Sequence, residues 1–464
     1  MLKLFNSLTR KIEEFKPITD KAVGLYTCGP TVYNYAHVGN LRTYLFEDFL
    51  RRALEYNGYT VKHVMNITDV GHLTGDQDFG EDKMEKEGGS VEEILNLAKK
   101  YTDAFLADLK TLNILQAETL APATEYIPQQ IKLIEKLFQK EIAYETELAI
   151  YFDVSKFENY GQLTGQKMED KKVGARSDVV VDKNKKHPAD FALWFKLAGK
   201  YKNHLLRWDS PWGQGFPGWH IECSAISEHF LGQPFDIHTG GIDHLFPHHT
   251  NEIAQSEGAN DKPLANYWLH GEHLLIREGR MGKSEGNILT LSALVDKGFN
   301  PLAYRYLVLT SHYRSKLNFT EESLTGAQHA LNNLYQEISN YDEPKVGCAQ
   351  FEEDFLNAVN NDLDTPKALA IMWDLIKTDE FPTSAKAQTL FKFDEILGLK
   401  MKAVWEAAKV IPDVVHKLID EREVARKSKD FVRSDELRRA IESNGYIVED
   451  TLDGFRVKKK FDKN

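Results

Sequence analysis

The chain has 464 residues, 42% of them hydrophobic and 28% charged, with a formal net charge of −12 at pH 7. This length is too great for a single hydrophobic core and predicts two to four domains. The composition is ordinary for a globular protein, and the acidic balance argues against a general nucleic-acid coat protein. The sequence offers no apolar run of membrane-spanning length, and its start lacks the apolar core of a secretion signal.

The cysteines and the terminal charges bear on compartment and partners. Three cysteines occur, at positions 28, 223 and 348. So few, and without paired spacing, they predict a reducing, cytoplasmic setting rather than a disulfide scaffold. A basic stretch covers residues 456–463. Composition alone favours a solvated tail over a binding surface for this stretch.

The first part of the chain predicts a β-α-β unit. Short strands over 2–6 and 11–16 form a hairpin, and a third strand covers 23–28. Asn40 is well suited to cap the following amphipathic helix. A β-rich run over 60–68 comes next, so the two flanking strands are expected to be parallel, with a right-handed crossover. A G-x-G-x-x-G motif does not occur at the first turn, which disfavours a dinucleotide dehydrogenase.

The rest of the chain alternates between element types and then becomes mainly helical. The predictions are helices over 92–114 and 124–142, an irregular insertion with short strands over 146–217, strands over 235–238 and 268–276, and a glycine-rich loop over 279–287. From residue 291, apolar stripes at helical spacing predict a bundle. A last module begins near residue 411, with two helices and a terminal hairpin over 446–457.

Four side chains are candidate metal ligands. Cys28 and Cys223 are far apart in sequence, whereas His248 and Glu252 are four residues apart at a predicted helix start. That spacing places both side chains on one helix face. Cysteine, histidine and glutamate are all plausible zinc ligands. By itself, however, the pattern is explained at least as well by a surface pair and two buried thiols.

Two polar motifs are suited to nucleotide phosphates. Residues 37–40 lie between a strand and a helix start, where backbone N–H groups and the positive helix end can face an anion. His37 can donate to phosphate oxygens there, and Gly39 permits close approach of the nucleotide. The loop 279–287 contains Lys283, which can reach a β- or γ-phosphate and stabilise charge as pyrophosphate leaves. Both motifs in this order, on an α/β background, indicate a nucleotide site.

These motifs resemble those of a known family. Residues 37–40 resemble the first signature of class I aminoacyl-tRNA synthetases, and residues 280–284 the second. The stretches 26–33, 218–224 and 246–252 resemble one family of that class, the cysteinyl-tRNA synthetases. The match runs in order along almost the whole chain.

The sequence departs from the signatures at three positions. Asn40 stands where histidine is frequent, but it still offers a donor and a helix cap. Arg280 and Gly282 stand where lysine and serine are usual. Arginine keeps the charge but not the geometry, and glycine removes a hydroxyl. We therefore expect activity to survive with altered loop kinetics and ATP affinity.

The resemblance implies an α/β fold class. This fold has a Rossmann-like, parallel-sheet catalytic domain that is split by an insertion, followed by an α-helical bundle and a small C-terminal α+β module. The predicted boundaries are 1–120 and 218–290 for the two catalytic halves, 121–217 for the insertion, 291–405 for the stem-contact region and bundle, and 406–464 for the anticodon-binding module.

The resemblance also implies an activity and its residues. ATP activates cysteine to cysteinyl-adenylate, with Mg²⁺ on the triphosphate, and the cysteinyl group then moves to the 3′ end of tRNA(Cys). The implied ATP-binding residues are His37, Gly39, Asn40, Asp243, Lys283 and Ser284, of which His37, Asn40 and Lys283 are catalytic. The implied amino-acid pocket contains Thr68 and Trp219. The basic C-terminal stretch now favours RNA contact.

The resemblance implies one zinc ion, held by Cys28, Cys223, His248 and Glu252. An apolar pocket separates cysteine from serine poorly, whereas a thiol near zinc ionises and binds as thiolate. Zinc–thiolate binding would therefore select cysteine over serine. His220 and His249 are candidates to offset the surplus negative charge.

Two other interpretations fit parts of the sequence. One is a cysteine ligase of the mycothiol-pathway type, which uses the same first step and an amino-sugar acceptor. The long C-terminal extension argues for tRNA instead. The other is a non-enzymatic, zinc-stabilised nucleotide-binding or RNA-binding protein with decayed signatures, and intact His37 and Lys283 argue against it. We expect a monomer, since the sequence shows no exposed apolar stripe.

Overall fold

The computed structural model describes residues 1–73, 82–85, 88–165, 182–276, 289–451, 454–459 and 461. These residues form two compact units. The first comprises Met1–Leu291 and Tyr313–Leu317, and the second comprises Ser292–His312 and Asn318–Asn464. No described helix combines the length and the apolar character that crossing a lipid bilayer would require.

The first unit holds most of the strands. In the described part of the chain they are β1 (Lys3–Asn6), β2 (Lys11–Glu14), β3 (Ala22–Thr27), β4 (Thr60–Ile67), β5 (Thr119–Pro122), β6 (Ala143–Glu145), β7 (Ala149–Phe152), β8 (Phe191–Lys196), β9 (Gly215–Pro217), β10 (Phe235–Gly241), β11 (Ala265–Gly271) and β12 (Leu274–Ile276). The helices described there are α1 (Val38–Tyr56), α2 (Val91–Thr111), α3 (Ile127–Gln139), α4 (Trp219–Leu231) and α5 (His248–Asn260). Short 3-10 turns cover Ala123–Tyr126, Val154–Lys156, Gly199–Tyr201 and Ile242–Leu245.

The other described elements follow in the chain. They are α6 (Leu291–Asp296), α7 (Pro301–Leu309), β13 (Leu317–Phe319), α8 (Glu321–Ile338), α9 (Ala349–Val359), α10 (Thr365–Lys377), α11 (Thr383–Leu397), α12 (Met401–Lys409), α13 (Asp413–Lys427), α14 (Phe431–Ser443), β14 (Tyr446–Thr451) and β15 (Gly454–Lys459).

Strand β3 is the middle strand of the parallel sheet in the first unit. Among the described strands the order is β11-β10-β3-β4-β5, and each neighbouring pair is parallel. Val23, Leu25 and Tyr26 are all buried, as expected of a parallel strand covered on both faces. The later strands lie first on one side of β3 and then on the other. Ligands bind outside the carboxyl ends of the strands at such a switch point, which here lies between β3 and β10.

Between α3 and α4 the chain forms a second, antiparallel sheet. Its described strands have the order β6-β7-β8-β9. The sequence predicts short strands here without bounds, because β8 is buried along nearly its whole length and lacks the alternation of a half-exposed strand. Phe152 stacks on Phe191, with ring centroids 4.9 Å apart. Trp194 is fully buried in a core that this sheet shares with α3, α4 and α5.

The second unit is mainly helical. Within its described part, α9 and α11 are joined by Phe355 and Phe393, whose rings stack with centroids 3.9 Å apart. Helices α13 and α14 and strand β14 share a small core of their own, formed by Val415, Ile419, Ile441, Tyr446 and Val448. Strand β14 pairs antiparallel with β15, so the predicted terminal hairpin is confirmed.

The predicted fold class is confirmed. A parallel sheet flanked by helices is followed by a helical region and a small terminal module with strands. The hairpin of β1 and β2 and the β3-α1-β4 unit are also present as expected. The five domain boundaries stay a prediction.

Glu47 of α1 is a buried carboxyl with an unusual environment. It is 1% exposed, and Thr239 donates a hydrogen bond of 2.9 Å to its Oε1. Its Oε2 has no hydrogen-bond partner among the described residues. Burial raises the pKa of Glu47 from 4.5 to about 8. The folded protein therefore holds a proton that the unfolded chain has already released between pH 4.5 and 8.

We expect Glu47→Gln to remove a pH-dependent loss of stability. Because the folded state binds more protons in that window, stability falls as pH rises through it, by up to roughly 4–5 kcal/mol. Wild type and variant should melt at similar temperatures near pH 4.5, whereas the variant should melt several degrees higher near pH 8. Thermal melts at both pH values test this, with exposed Glu135→Gln on α3 as the control. A difference in melting temperature between wild type and Glu47→Gln that is the same near pH 4.5 and near pH 8 would contradict it.

Candidate active site

An open cavity of about 790 Å³ lies at the carboxyl ends of β3 and β10. It brings together many of the residues predicted to bind ATP, the amino acid or a metal. Those that line it are Cys28, His37, Asn40, Thr68, Trp219, Asp243 and His248. The position matches the switch point of the parallel sheet.

The four predicted metal ligands lie together at the base of this region. Cys28 follows β3, Cys223 is on α4, and His248 and Glu252 are one turn apart on α5. All four are buried, and their donor atoms lie within 4.8 Å of one another. His248 Nε2 is 3.0 Å from Glu252 Oε1 and 3.5 Å from Cys223 Sγ. This buried group could hold a metal ion.

A second set of donors overlaps the first. Cys28 and Glu252 also lie within 4.8 Å of His238 and His249. His238 Nε2 is 2.9 Å from Glu252 Oε2, and His249 Nε2 is 3.3 Å from Cys28 Sγ. Both carboxylate oxygens of Glu252 are therefore engaged by imidazoles. The apolar pattern predicts a strand at His238 but does not indicate that its side chain faces the cluster, since a lone histidine in an apolar strand carries no spacing signal.

The charges of the cluster suit a cation. Burial alone would raise the pKa of Glu252, but His238 and His248 hold it well below its usual range. Burial would lower the pKa of His248, yet Glu252 and Cys223 raise it to about 10. Burial would likewise raise the pKa of Cys223, and its hydrogen bonds with Cys28 and His248 lower it to about 6. Negative charge is thus favoured on Glu252 and Cys223, whereas burial raises the pKa of Cys28 well above its usual range. The proton on His248 balances the buried charge. A divalent ion bound here would take the place of that proton, since a metal ligand must be deprotonated.

An outer layer of histidines orients the donors. His220 Nδ1 lies 2.8 Å from His248 Nδ1. His249 Nδ1 lies 2.8 Å from His270 Nε2, which in turn is anchored through Nδ1 to Ser7 Oγ at 2.8 Å. Burial lowers the pKa of both His220 and His249 well below 6.5. Both rings are therefore held neutral in this cluster, and their contacts with His248 and His270 fix ring orientation. The expectation that they offset surplus negative charge stays a prediction.

The start of α1 differs from the prediction. The helix begins at Val38, so His37 and not Asn40 is its N-cap. Asn40 N–H donates to His37 Nδ1 at 3.0 Å, and His37 N–H donates to Asn40 Oδ1 at 3.2 Å. Because Nδ1 accepts, a neutral His37 carries its hydrogen on Nε2. Burial lowers the pKa of His37, which favours that neutral form.

The other predicted ATP-binding residues divide into two groups. Gly39 lies in the first turn of α1, between His37 and Asn40, which both line the cavity. Asp243 also lines the cavity, in the turn after β10. Lys283 and Ser284 lie outside the described residues, as do Arg280 and Gly282.

The predicted amino-acid pocket occupies the same cavity. Thr68 directly follows β4 and Trp219 opens α4. The Trp219 ring stacks on His72, with centroids 4.0 Å apart and planes 9° from parallel. His72 Nδ1 lies 2.7 Å from Thr31 Oγ1, and Lys83 Nζ donates to its Nε2 at 2.8 Å. His72 therefore fixes the indole, a role that the sequence pattern did not indicate.

Comparison with known proteins places the chain in a family. Residues 14–329 match the family described as the tRNA synthetases class I (C) catalytic domain, and residues 409–457 match the cysteinyl-tRNA ligase anticodon binding domain. Cysteine–tRNA ligase 1 of Burkholderia lata is 46% identical over 458 residues, covering 98% of this chain and 96% of the relative. Cysteine–tRNA ligase of Treponema denticola is 43% identical, covering 97% of this chain and 98% of the relative.

Solved structures share the fold. Mycobacterium tuberculosis methionyl-tRNA synthetase in complex with methionyl-adenylate has a TM-score of 0.54 at 14% identity, covering 82% of this chain and 90% of that structure. A LeuRS of Agrobacterium radiobacter in a ternary complex with tRNA and LeuAMS has a TM-score of 0.58 at 11% identity, covering 85% of each chain. Fold and site together define a class I tRNA synthetase. Within that class, the chain belongs to the cysteine–tRNA ligase family.

Proposed function

We propose that the chain is a cysteine–tRNA ligase, which activates cysteine with ATP and transfers it to the 3′ end of tRNA(Cys). One observation carries this proposal: a single cavity joins the capped turn at His37 to a buried Cys/His/Glu group. Relatives that carry the same name match over the whole chain. The sheet joins the early and late parts of the first unit, because β3 and β10 are neighbouring strands.

For cysteine selection we propose a zinc ion. Its ligands would be Cys28, Cys223, His248 and Glu252. Zinc held there would supply an affinity for a sulfur ligand that the hydroxyl of serine lacks. Thr68 and Trp219 line the same cavity as Cys28 and His248, which supports a role for them in contacting the rest of the amino acid.

For adenylate formation the chain would act by positioning and charge stabilisation. The cysteine carboxylate attacks the α-phosphorus, and pyrophosphate leaves. His37 Nε2–H would donate to a phosphate oxygen, and Asp243 would accept from the ribose hydroxyls. Lys283 and Ser284 would reach the phosphates from their loop, and Mg²⁺ would accompany the triphosphate.

For tRNA, the match of residues 409–457 supports anticodon contact by the C-terminal module. Phosphate neutralisation by its basic residues would make tRNA affinity fall with rising salt. The cytoplasmic location and the monomeric state stay predictions.

The direct test is cysteine-dependent ATP–pyrophosphate exchange, followed by charging of tRNA(Cys). We expect exchange with cysteine, and weaker exchange with serine by roughly 10⁴-fold, as sites built around a specific polar contact achieve. Equal exchange with the two amino acids would overturn the selection mechanism. No exchange with cysteine would overturn the proposed activity.

A further inference from the structure

Thr68 belongs to a buried polar network. Thr68 O–H donates to Glu222 Oε1. Asn66 Nδ2 donates to Thr68 Oγ1 at 3.0 Å and to Glu222 Oε1 at 3.2 Å. These three side chains are at most 2% exposed.

The orientation of the Asn66 amide is fixed by its other contact. Gly29 N–H donates to Asn66 Oδ1 at 2.8 Å. A backbone N–H can only donate, so the oxygen must face Gly29 and the NH₂ must face Thr68 and Glu222. The two chain segments also lie very close, because a Cβ at Gly29 would overlap the Asn66 carbonyl oxygen. Neither segment can shift without disturbing the other.

This network leaves one lone pair of the Thr68 hydroxyl available to accept a hydrogen bond. A hydroxyl has one hydrogen and two lone pairs. Its hydrogen is committed to Glu222, and one lone pair is committed to Asn66. The remaining lone pair can only accept a hydrogen bond, and Thr68 lines the cavity.

A purely structural role would not explain this network, because it stabilises the folded state less than apolar packing would. Glu222 Oε2 is buried and has no hydrogen-bond partner among the described residues. Burying a carboxyl oxygen without a partner disfavours the folded state, and apolar side chains would fill the space at lower cost. Glu222 also directly precedes Cys223, so the network connects the pocket wall to the helix that carries a donor of the Cys/His/Glu group.

We propose that Asn66 and Glu222 are positioning residues that make Thr68 a hydrogen-bond acceptor for the α-ammonium group of the bound amino acid. This inference rests on the proposed function and assigns to its amino-acid pocket a contact for the ammonium group. An ammonium group has three donors and no acceptor, so it matches an oxygen that can only accept. A Thr68 hydroxyl whose hydrogen pointed into the cavity would instead present a donor to the donors of the ammonium group.

The experiment compares two probes. L-Cysteine carries the ammonium group, whereas 3-mercaptopropionate keeps the thiol and carboxylate and lacks it. Dissociation constants for both are measured by calorimetry without ATP, on wild type and on Thr68→Val, Glu222→Ala and Glu222→Gln. Metal content is measured on the same samples. Thr68→Val removes the hydroxyl at nearly constant shape.

We expect Thr68→Val and Glu222→Ala each to weaken cysteine binding about tenfold, the size of a hydrogen bond to a charged group. Binding of 3-mercaptopropionate should change less than about twofold, since the lost contact is not made by this probe. Glu222→Gln keeps an oxygen for Thr68 and Asn66 and should recover most of the cysteine affinity. Adding Glu222→Ala to Thr68→Val should cause no further loss, because both act through one hydroxyl.

Three results would overturn the inference: equal weakening of both probes, unchanged cysteine binding in Thr68→Val, or additive losses in the double variant. Metal loss that accompanies weaker binding of both probes would indicate a structural role instead. Failure of the proposed function looks different, since wild type itself would then show no cysteine-dependent exchange.

Discussion

Replacing Cys223 by serine should reduce cysteine-dependent ATP–pyrophosphate exchange by at least about a hundredfold, since even outer partners of metal ligands contribute 10–100-fold. Cys223 is fully buried and lies 3.5 Å from His248 Nε2. A serine hydroxyl would stay protonated and bind zinc weakly. The loss should therefore appear in metal content and in exchange together.

The matched control is Cys348→Ser. Cys348 is also buried, but it lies in the second unit, where its N–H donates to Thr389 Oγ1 at 2.7 Å. This variant should keep its metal and its exchange activity. Metal analysis and exchange kinetics on both variants decide the matter. If Cys223→Ser retained zinc and still selected cysteine over serine, the assignment of the zinc site would be wrong.

Deleting residues 411–464 should separate the two steps of the reaction. We expect kcat/KM for charging tRNA(Cys) to fall by at least about a hundredfold, or ~2.7 kcal/mol, through lost anticodon contacts. Amino-acid activation should persist, because α13, α14 and β14 have a small core of their own. Removing these elements leaves the parallel sheet and the cavity-lining residues in the chain.

Charging and exchange are measured on the same preparation of the truncated protein. Exchange serves as the internal control for an intact catalytic unit. Charging within a few fold of wild type would show that the module is not needed for tRNA. Loss of both activities would show that the first unit depends on the module, which contradicts the expected separation.

The sequence predicted the parts of the site that follow local rules. His248 and Glu252 are four residues apart, so helical geometry alone placed them on one face. The strand, turn and helix around residues 37–40 were recognised from apolar spacing, although the capping residue was wrong. Cys28 and Cys223 required the family resemblance, because local patterns say nothing about which distant thiols meet.

The parts that were missed depend on long-range packing. His37 displaced Asn40 as the cap because its imidazole nitrogen took the hydrogen bond that an asparagine oxygen usually accepts. The contacts of His238 and Glu222 arise only when α4, α5 and the sheet are assembled. The bounds of strand β8 were not predicted, because burial on both faces removes the alternation on which strand prediction relies.

The position of Cys28 after the central strand has a consequence for biosynthesis. Its sulfur lies 3.9 Å from Glu252, which is 224 residues later in the chain. At about 5–20 residues per second, a ribosome needs roughly 10–45 s to make that interval. Until then the nascent chain carries an incomplete donor set. Loading with the proposed zinc ion would therefore be a late event of synthesis, and it would report that the nascent chain has brought both halves of the sheet together.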